Sequence, residues 1–185
     1  MKKLIPFLPI AGIIAFVAVV EYLNGRLVVC KCGYVKLWEG VVNSPENSQH
    51  IADWYSLSHI IHGFIFFGLF WLIARNWSLA HRLVAATMIE GTWELFENSA
   101  FIINRYREGT ASLDYFGDSI VNSTSDIVFM MIGFFIASKL PWKITVTAAI
   151  AMELLALYVI RDNLTLNVLM LLHPIEGIKN WQAGA

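Results

Sequence analysis

Five stretches of the chain stay apolar for long enough to cross a bilayer, which takes about 20 residues as a helix. They cover residues 4–23, 57–74, 79–103, 118–138 and 142–160. The first follows Lys2 and Lys3 and closes at Glu21 and Tyr22. Such a start also fits a signal peptide, but the bulky Phe16 and Val17 stand where cleavage wants small residues, so an uncleaved helix is expected. Residues 24–56 are polar and turn-rich (Asn24-Gly25, then Asn43 to Ser48) and read as an outer loop. Leu164–Leu172 would reach only about 13 Å as a helix before His173-Pro174. A re-entrant or interfacial helix is expected within the C-terminal segment 164–185. The pattern therefore predicts an all-α integral membrane protein: one domain of about five transmembrane helices plus that short C-terminal piece.

Composition agrees. Hydrophobic residues make up 57% and charged residues 15%, against roughly 45–50% and 25% in soluble domains; the mean hydropathy is +0.60. Thirteen basic against 14 acidic residues leave no cationic surplus, which argues against nucleic acid as a partner. Two cysteines exclude a disulfide scaffold; a bridge across a single residue is strained, so Cys30-x-Cys32 leaves a thiol pair, a metal clip or an intermolecular bridge open. Lys2, Lys3, Arg75, Arg82, Lys139 and Lys143 fall at one set of span ends, in short segments. The basic residues of the other side are spread over longer ones, so the N-terminus is expected in the cytoplasm and the C-terminus outside, in a bacterial inner membrane.

The remaining charges change the picture. His59 and His62 (i, i+3) lie in the second span, and Glu90, Glu94 and Glu97 (i, i+4, i+7) form one stripe of the third. Asp118, Asn122 and Asp126 (i, i+4, i+8) form one stripe of the fourth, and Glu153 sits in the fifth. Counted at about 1.5 Å per residue from the outer ends, most of these groups reach the same outer half of the bilayer. An ionised group costs ~2.5–3.5 kcal/mol at mid-membrane when left alone. Protons, water or a cation must compensate, and imidazole with carboxylate suits zinc, manganese or iron. His59, His62, Glu94 and Glu97 are the expected ligands. Glu90, Asp118 and Asp126 are candidates for acid–base work, and Asn98, Asn122 and His50 for substrate contact. A divalent metal there would polarise an ester, amide or phosphoester on a lipid-linked substrate, as a hydrolase or transferase does. The plainer alternative is a non-enzymatic cluster that holds a headgroup or polar ligand, or bonds the helices together. A proton relay is disfavoured because the inner half carries few ionisable groups. Trp38, Trp54, Tyr55, Tyr106, Tyr115 and Trp142 flank the spans as an aromatic belt would.

Several runs are distinctive: Ser44…Glu46-Asn47-Ser48-Gln49-His50…Asp53-Trp54-Tyr55…Ser58-His59-Ile60-Ile61-His62-Gly63, Glu90-Gly91-Thr92-Trp93-Glu94-Leu95-Phe96-Glu97-Asn98-Ser99, the segment Asp114 to Ser123, and Ile160 to Asn167. Together they resemble an uncharacterised family of small alphaproteobacterial inner-membrane proteins, over nearly the whole chain from Cys30 to Trp181. The resemblance implies a location and no assigned activity. More loosely, His on one helix, Glu-x-x-Glu on the next and Asp with Asn opening a fourth looks like the VanZ-type membrane proteins, which are associated with teicoplanin resistance. That likeness is one of fold only.

Overall fold

The computed structural model describes residues 7–110 and 115–184. Lys2, Lys3, the first residues of the first predicted span and Asp114 lie outside the described residues. Among the described residues there are eight helices and no strand: α1 (Phe7–Leu23), α2 (Ser56–Ile73), α3 (Leu79–Glu97), α4 (Ala100–Gly109), α5 (Ile120–Lys139), α6 (Trp142–Ile160), α7 (Leu164–Leu172) and α8 (Glu176–Gln182).

Three helices, α2, α5 and α6, are long and apolar enough to cross a membrane, with mean hydropathies of 1.7, 1.7 and 1.8. The apolar α1 is shorter, at 17 residues. In α3 the apolar run is interrupted by His81, Arg82 and three glutamates. α6 buries only Thr145 and Ala156, leaving Ile150, Leu154, Leu155 and Tyr158 exposed. Together with its length, an apolar surface of that extent points to membrane association.

The third predicted span differs from the structure. Residues 79–103 do not form one rod, because Asn98 caps α3 while the Ser99 side chain accepts from Ile102 N and starts α4. The fourth predicted span, α5, begins as a helix at Ile120 rather than 118, with the Ser119 hydroxyl accepting from Asn122 N. The short C-terminal helix forms as expected and is gripped at both ends. Glu153 of α6 accepts from Leu164 N (2.9 Å) and Thr165 N (3.0 Å), and Arg105 of α4 donates to Leu171 O (2.8 Å) and Leu172 O (3.2 Å). Acid at the N-terminus and base at the C-terminus match the helix dipole.

The tightest helix pairing is α2 against α5. A methyl built on Gly63 would run into the backbone at Met130, Gly133 and Phe134, and one on Gly133 into the backbone of Ile60. The two main chains therefore touch directly, as small residues permit in membranes, where apolar surface alone does not drive helices together. Toward the ends marked by Ala74 and Leu79, a core of Ile10, Phe70, Leu83, Ala86, Met130 and Phe134 ties α1, α2, α3 and α5 together. The loop between α1 and α2 carries no helix but is bonded to the start of α5. Leu27 O accepts from Ile120 N (2.8 Å), Val28 O from Val121 N (3.2 Å) and Ser48 O from Ser119 N (3.0 Å).

Substituting alanine at Gly63 or Gly133 should cost about 1–3 kcal/mol of stability through forced separation of the backbones. Thermal melts in detergent measure this, with Gly68→Ala, which has open space around it, as the neutral control.

Candidate functional site

Ser56, His59 and His62 recur every three residues and so share one face of α2, just before the Gly63 contact. That face meets Glu90 and Glu94 of α3, both fully buried. Glu90 bridges the histidines: Oε1 lies 2.6 Å from His59 Nδ1, and both its oxygens lie 3.1 Å from His62 Nδ1. His59 turns its other nitrogen toward Asp126 of α5, Nε2 to Oδ2 being 3.8 Å. Asp126 also accepts from the Ser56 hydroxyl at 3.2 Å. The Glu94 carboxylate has no hydrogen-bond donor on either oxygen among the described residues; His59 Nδ1, at 3.6 Å, is its nearest basic atom. A buried carboxylate in that position needs a proton, a water or a cation. Ligand atoms of His59, His62 and Glu90 all lie within 4.8 Å of one another, close enough for one ion.

The sequence pattern made Glu97 a ligand and Glu90 an acid–base candidate. The geometry brings Glu90 to the histidines instead. Because α3 ends at Glu97, depth counts from there, which puts Glu90 about 10 Å in, level with His62 and Asp126 at about 9 Å from their own helix starts. Glu97 sits at the helix end, its Oε1 3.3 Å from Tyr106 Oη. Glu153 takes no part, being engaged at the start of α7.

Outward of the histidines lies a small polar pocket of about 40 Å³, lined by His59, Glu97, Asp118, Asn122, Asp126 and three tyrosines among others. Those phenols, Tyr55, Tyr106 and Tyr115, are not a lipid-facing belt. Tyr55 Oη donates to Asp162 (3.1 Å), Tyr106 Oη to Asn167 (2.7 Å) and Tyr115 Oη to Asp118 (3.0 Å). Burial, then the neighbouring carboxylates, pushes all three phenols well above their ordinary range, so they remain donors.

Two of the three substrate-contact candidates are already engaged. Asn98 donates to Asp118 (3.0 Å) and Ser123 (3.2 Å), and its oxygen accepts from Asp118 N (2.7 Å). The His50 ring, wholly buried, accepts from Lys36 N at Nδ1 (3.2 Å) and faces Glu46 at Nε2 (3.0 Å). Asn122 donates to His50 O (2.9 Å) yet still lines the pocket. Sequence reasoning missed Glu21, which closes α1 in the buried interior and accepts from Asn98 at 3.3 Å. Its spacing from Ile10 and Val17, the other buried residues of α1, was the available signal. Ser56 was missed likewise; Asp53, part of the distinctive run ahead of α2, holds Ser48 N and Tyr55 N.

A second, larger cavity of about 380 Å³ reaches the same histidines from the flank, between α2, α3 and α7. His59, His62, Glu90 and Glu97, with Tyr55, Ser58 and Asn167, form its polar part, while Ile65, Phe66, Ile89, Trp93 and Val168 line the apolar remainder. Ile65, Ile89 and Val168 are exposed on the outer surface of the bundle.

A family model described as a protein of unknown function, DUF2585, matches residues 21–184. The chain belongs to the DUF2585 family. Similar relatives carry the name UPF0314 protein. One from Sinorhizobium fredii is 59% identical over 173 residues, 94% of this chain and 88% of the relative. One from Brucella anthropi is 61% identical over 175 residues, 95% and 89% of the two chains, and one from Sphingopyxis alaskensis is 52% identical over 174, 94% and 93%. No solved structure matches the chain. The expected resemblance to an uncharacterised alphaproteobacterial family is borne out, and DUF2585 membership brings with it no assigned chemistry.

The Glu46 cluster yields a pH test outside the membrane helices. Hydrogen bonds from Lys36, then His50 and Tyr34, lower the Glu46 carboxyl from an ordinary 4.5 to about 2. A carboxyl depressed on folding stabilises above its unfolded value and loses that contribution as pH falls through its folded value. Glu46→Gln should therefore be less stable than wild type at pH 6, with the gap closing between pH 4.5 and about 2. Denaturation midpoints of the two proteins across that range check it.

Proposed function

We propose that this DUF2585 protein is a five-span inner-membrane protein whose His/Glu cluster holds a divalent metal and acts on a lipid-linked substrate. In this reading α1, α2, α3, α5 and α6 cross the bilayer as a single domain, and α7 lies at the outer interface. Arg75, Arg82, Lys139 and Lys143 mark the cytoplasmic ends, with the N-terminus inside and the C-terminus outside. His59, His62, Glu90 and Glu94 are the ligands; zinc, manganese or iron suits that donor set. Held by these residues, such an ion would supply Lewis-acid chemistry toward an ester or phosphoester and activation of water near neutral pH. Asp126, beside His59, is placed to take the proton of the attacking water, and Asp118, in the polar pocket, to return one to the leaving oxygen.

The observation that carries this reading is the flank cavity. A cavity with exposed Ile65, Ile89 and Val168 in its wall reaches two histidines, Glu90 and Glu97, beside Glu94, a carboxylate with no donor among the described residues. A chain lying in the bilayer enters such a cavity without leaving lipid, and brings its polar end to the site.

Glu90 supports a second reading, because it already bonds both histidines. In that case the cluster simply pins α2 to α3. Elemental analysis and melting separate the two. A metal site predicts about one divalent ion per purified chain, and a melting temperature that a strong chelator lowers in wild type but not in the His62→Ala, Glu94→Ala double variant. A metal-free chain whose melt ignores the chelator, yet collapses in Glu90→Gln, establishes the pin.

A further inference from the structure

A second cluster lies in the loop between α1 and α2, where Cys30 and Cys32 form a disulfide. A bridge that encloses one residue removes little freedom from the unfolded chain, since the entropic gain of a cross-link grows with loop length. It is a poor staple, and its surroundings are arranged for chemistry instead. Cys30 is buried and Cys32 half-exposed, so an incoming reagent meets the Cys32 sulfur first. Each sulfur also has a partner ready for the reduced state. Cys32 N points at Cys30 Sγ (3.1 Å) and would stabilise a thiolate there, while Cys32 Sγ lies 3.4 Å from Tyr34 O, an acceptor for a thiol proton.

Glu46 and His50 complete a group whose ligand atoms lie within 4.8 Å of the two sulfurs, which raises a metal clip as the competitor. The bonding opposes it. Lys36 N donates into His50 Nδ1, so Nε2 carries the ring proton and donates to Glu46. The Glu46 carboxylate is further taken by Lys36 Nζ (2.7 Å) and Tyr34 Oη (2.9 Å). His50 therefore offers no free ring nitrogen to an ion, and the Glu46 carboxylate is already shared among three donors.

We propose that Cys30–Cys32 is a thiol–disulfide exchange site that accepts two electrons from an external dithiol. One thiolate of the dithiol attacks Cys32 Sγ. A mixed disulfide forms, the Cys30–Cys32 bond breaks, and the electron pair leaves on Cys30. The second thiolate of the dithiol attacks its own bridged sulfur, displacing Cys32. The dithiol ends as a disulfide, and its two protons pass through solvent to the two cysteines. Because Leu27 O and Val28 O accept from the first residues of α5, the exchanging pair sits two residues from the contact of this loop with α5.

The full chain in detergent, equilibrated with graded ratios of reduced to oxidised dithiothreitol and quenched with N-ethylmaleimide, tests this by mass. Both cysteines should become labelled together as the ratio rises, with the melting temperature held within about 2 °C. In Cys30→Ser, oxidised glutathione should form a mixed disulfide at Cys32 about tenfold faster than it does at Cys30 in Cys32→Ser. If either variant misfolds, the same preference is read in wild type reduced and briefly labelled with maleimide. A pair that stays oxidised in excess dithiothreitol, a preference for Cys30, a large fall in melting temperature on reduction, or one zinc retained per reduced chain overturns the proposal.

Discussion

The direct contact between the backbones of α2 and α5 at Gly63 and Gly133 sets the position of nearly every polar group inside this protein. With no side chain between them, the two helices approach closely enough for Ser56 to bond Asp126 (3.2 Å) and for His59 to turn toward it. One turn of α2 then presents two imidazoles to α3, where Glu90 receives both. In lipid such packing must come from fit, because the surrounding tails are as apolar as the side chains. The glycine immediately after His62 is thus as much a part of the site as the histidine.

Around that contact the polar interior has two levels. The inner one is built from His59, His62, Glu90 and Glu94 and opens sideways among apolar side chains. The outer one, with Glu97, Asp118, Asp126 and the tyrosines, is roofed by the loop before α2. His59 belongs to both. Loop and helix are joined by main-chain bonds at Leu27, Val28 and Ser48, so the roof and the start of α5 behave as one piece.

Much of this was visible in the order of residues. The apolar runs located α2, α6 and α7 to within a residue or two, and the repeats of His, Glu and Asp singled out the helices that meet. The break at Asn98-Ser99 was hidden, because neither residue interrupts an apolar stretch strongly and their capping bonds depend on Glu94, Ile102 and Asp118. That one boundary moved the whole glutamate stripe outward, and with it the choice between Glu90 and Glu97. Glu21 was read as a span end because charge usually marks one; its partner Asn98 lies far along the chain. The roles of Tyr55, Tyr106 and Tyr115 escaped for the same reason. An interfacial belt and a pocket lining use the same residue at the same height, and only packing separates them.

The clasp on α7 bears on how the molecule is assembled. Its first turn is held by a carboxylate from α6 and its last by a guanidinium from α4, both made earlier in the chain. The nine residues of α7 are too few to insert as a span of their own, so they can take their place only after those two helices stand beside each other. The flank cavity has α7 for one wall. Biogenesis therefore closes that chamber last, and a nascent chain halted before Leu164 would leave its histidines uncovered along that side.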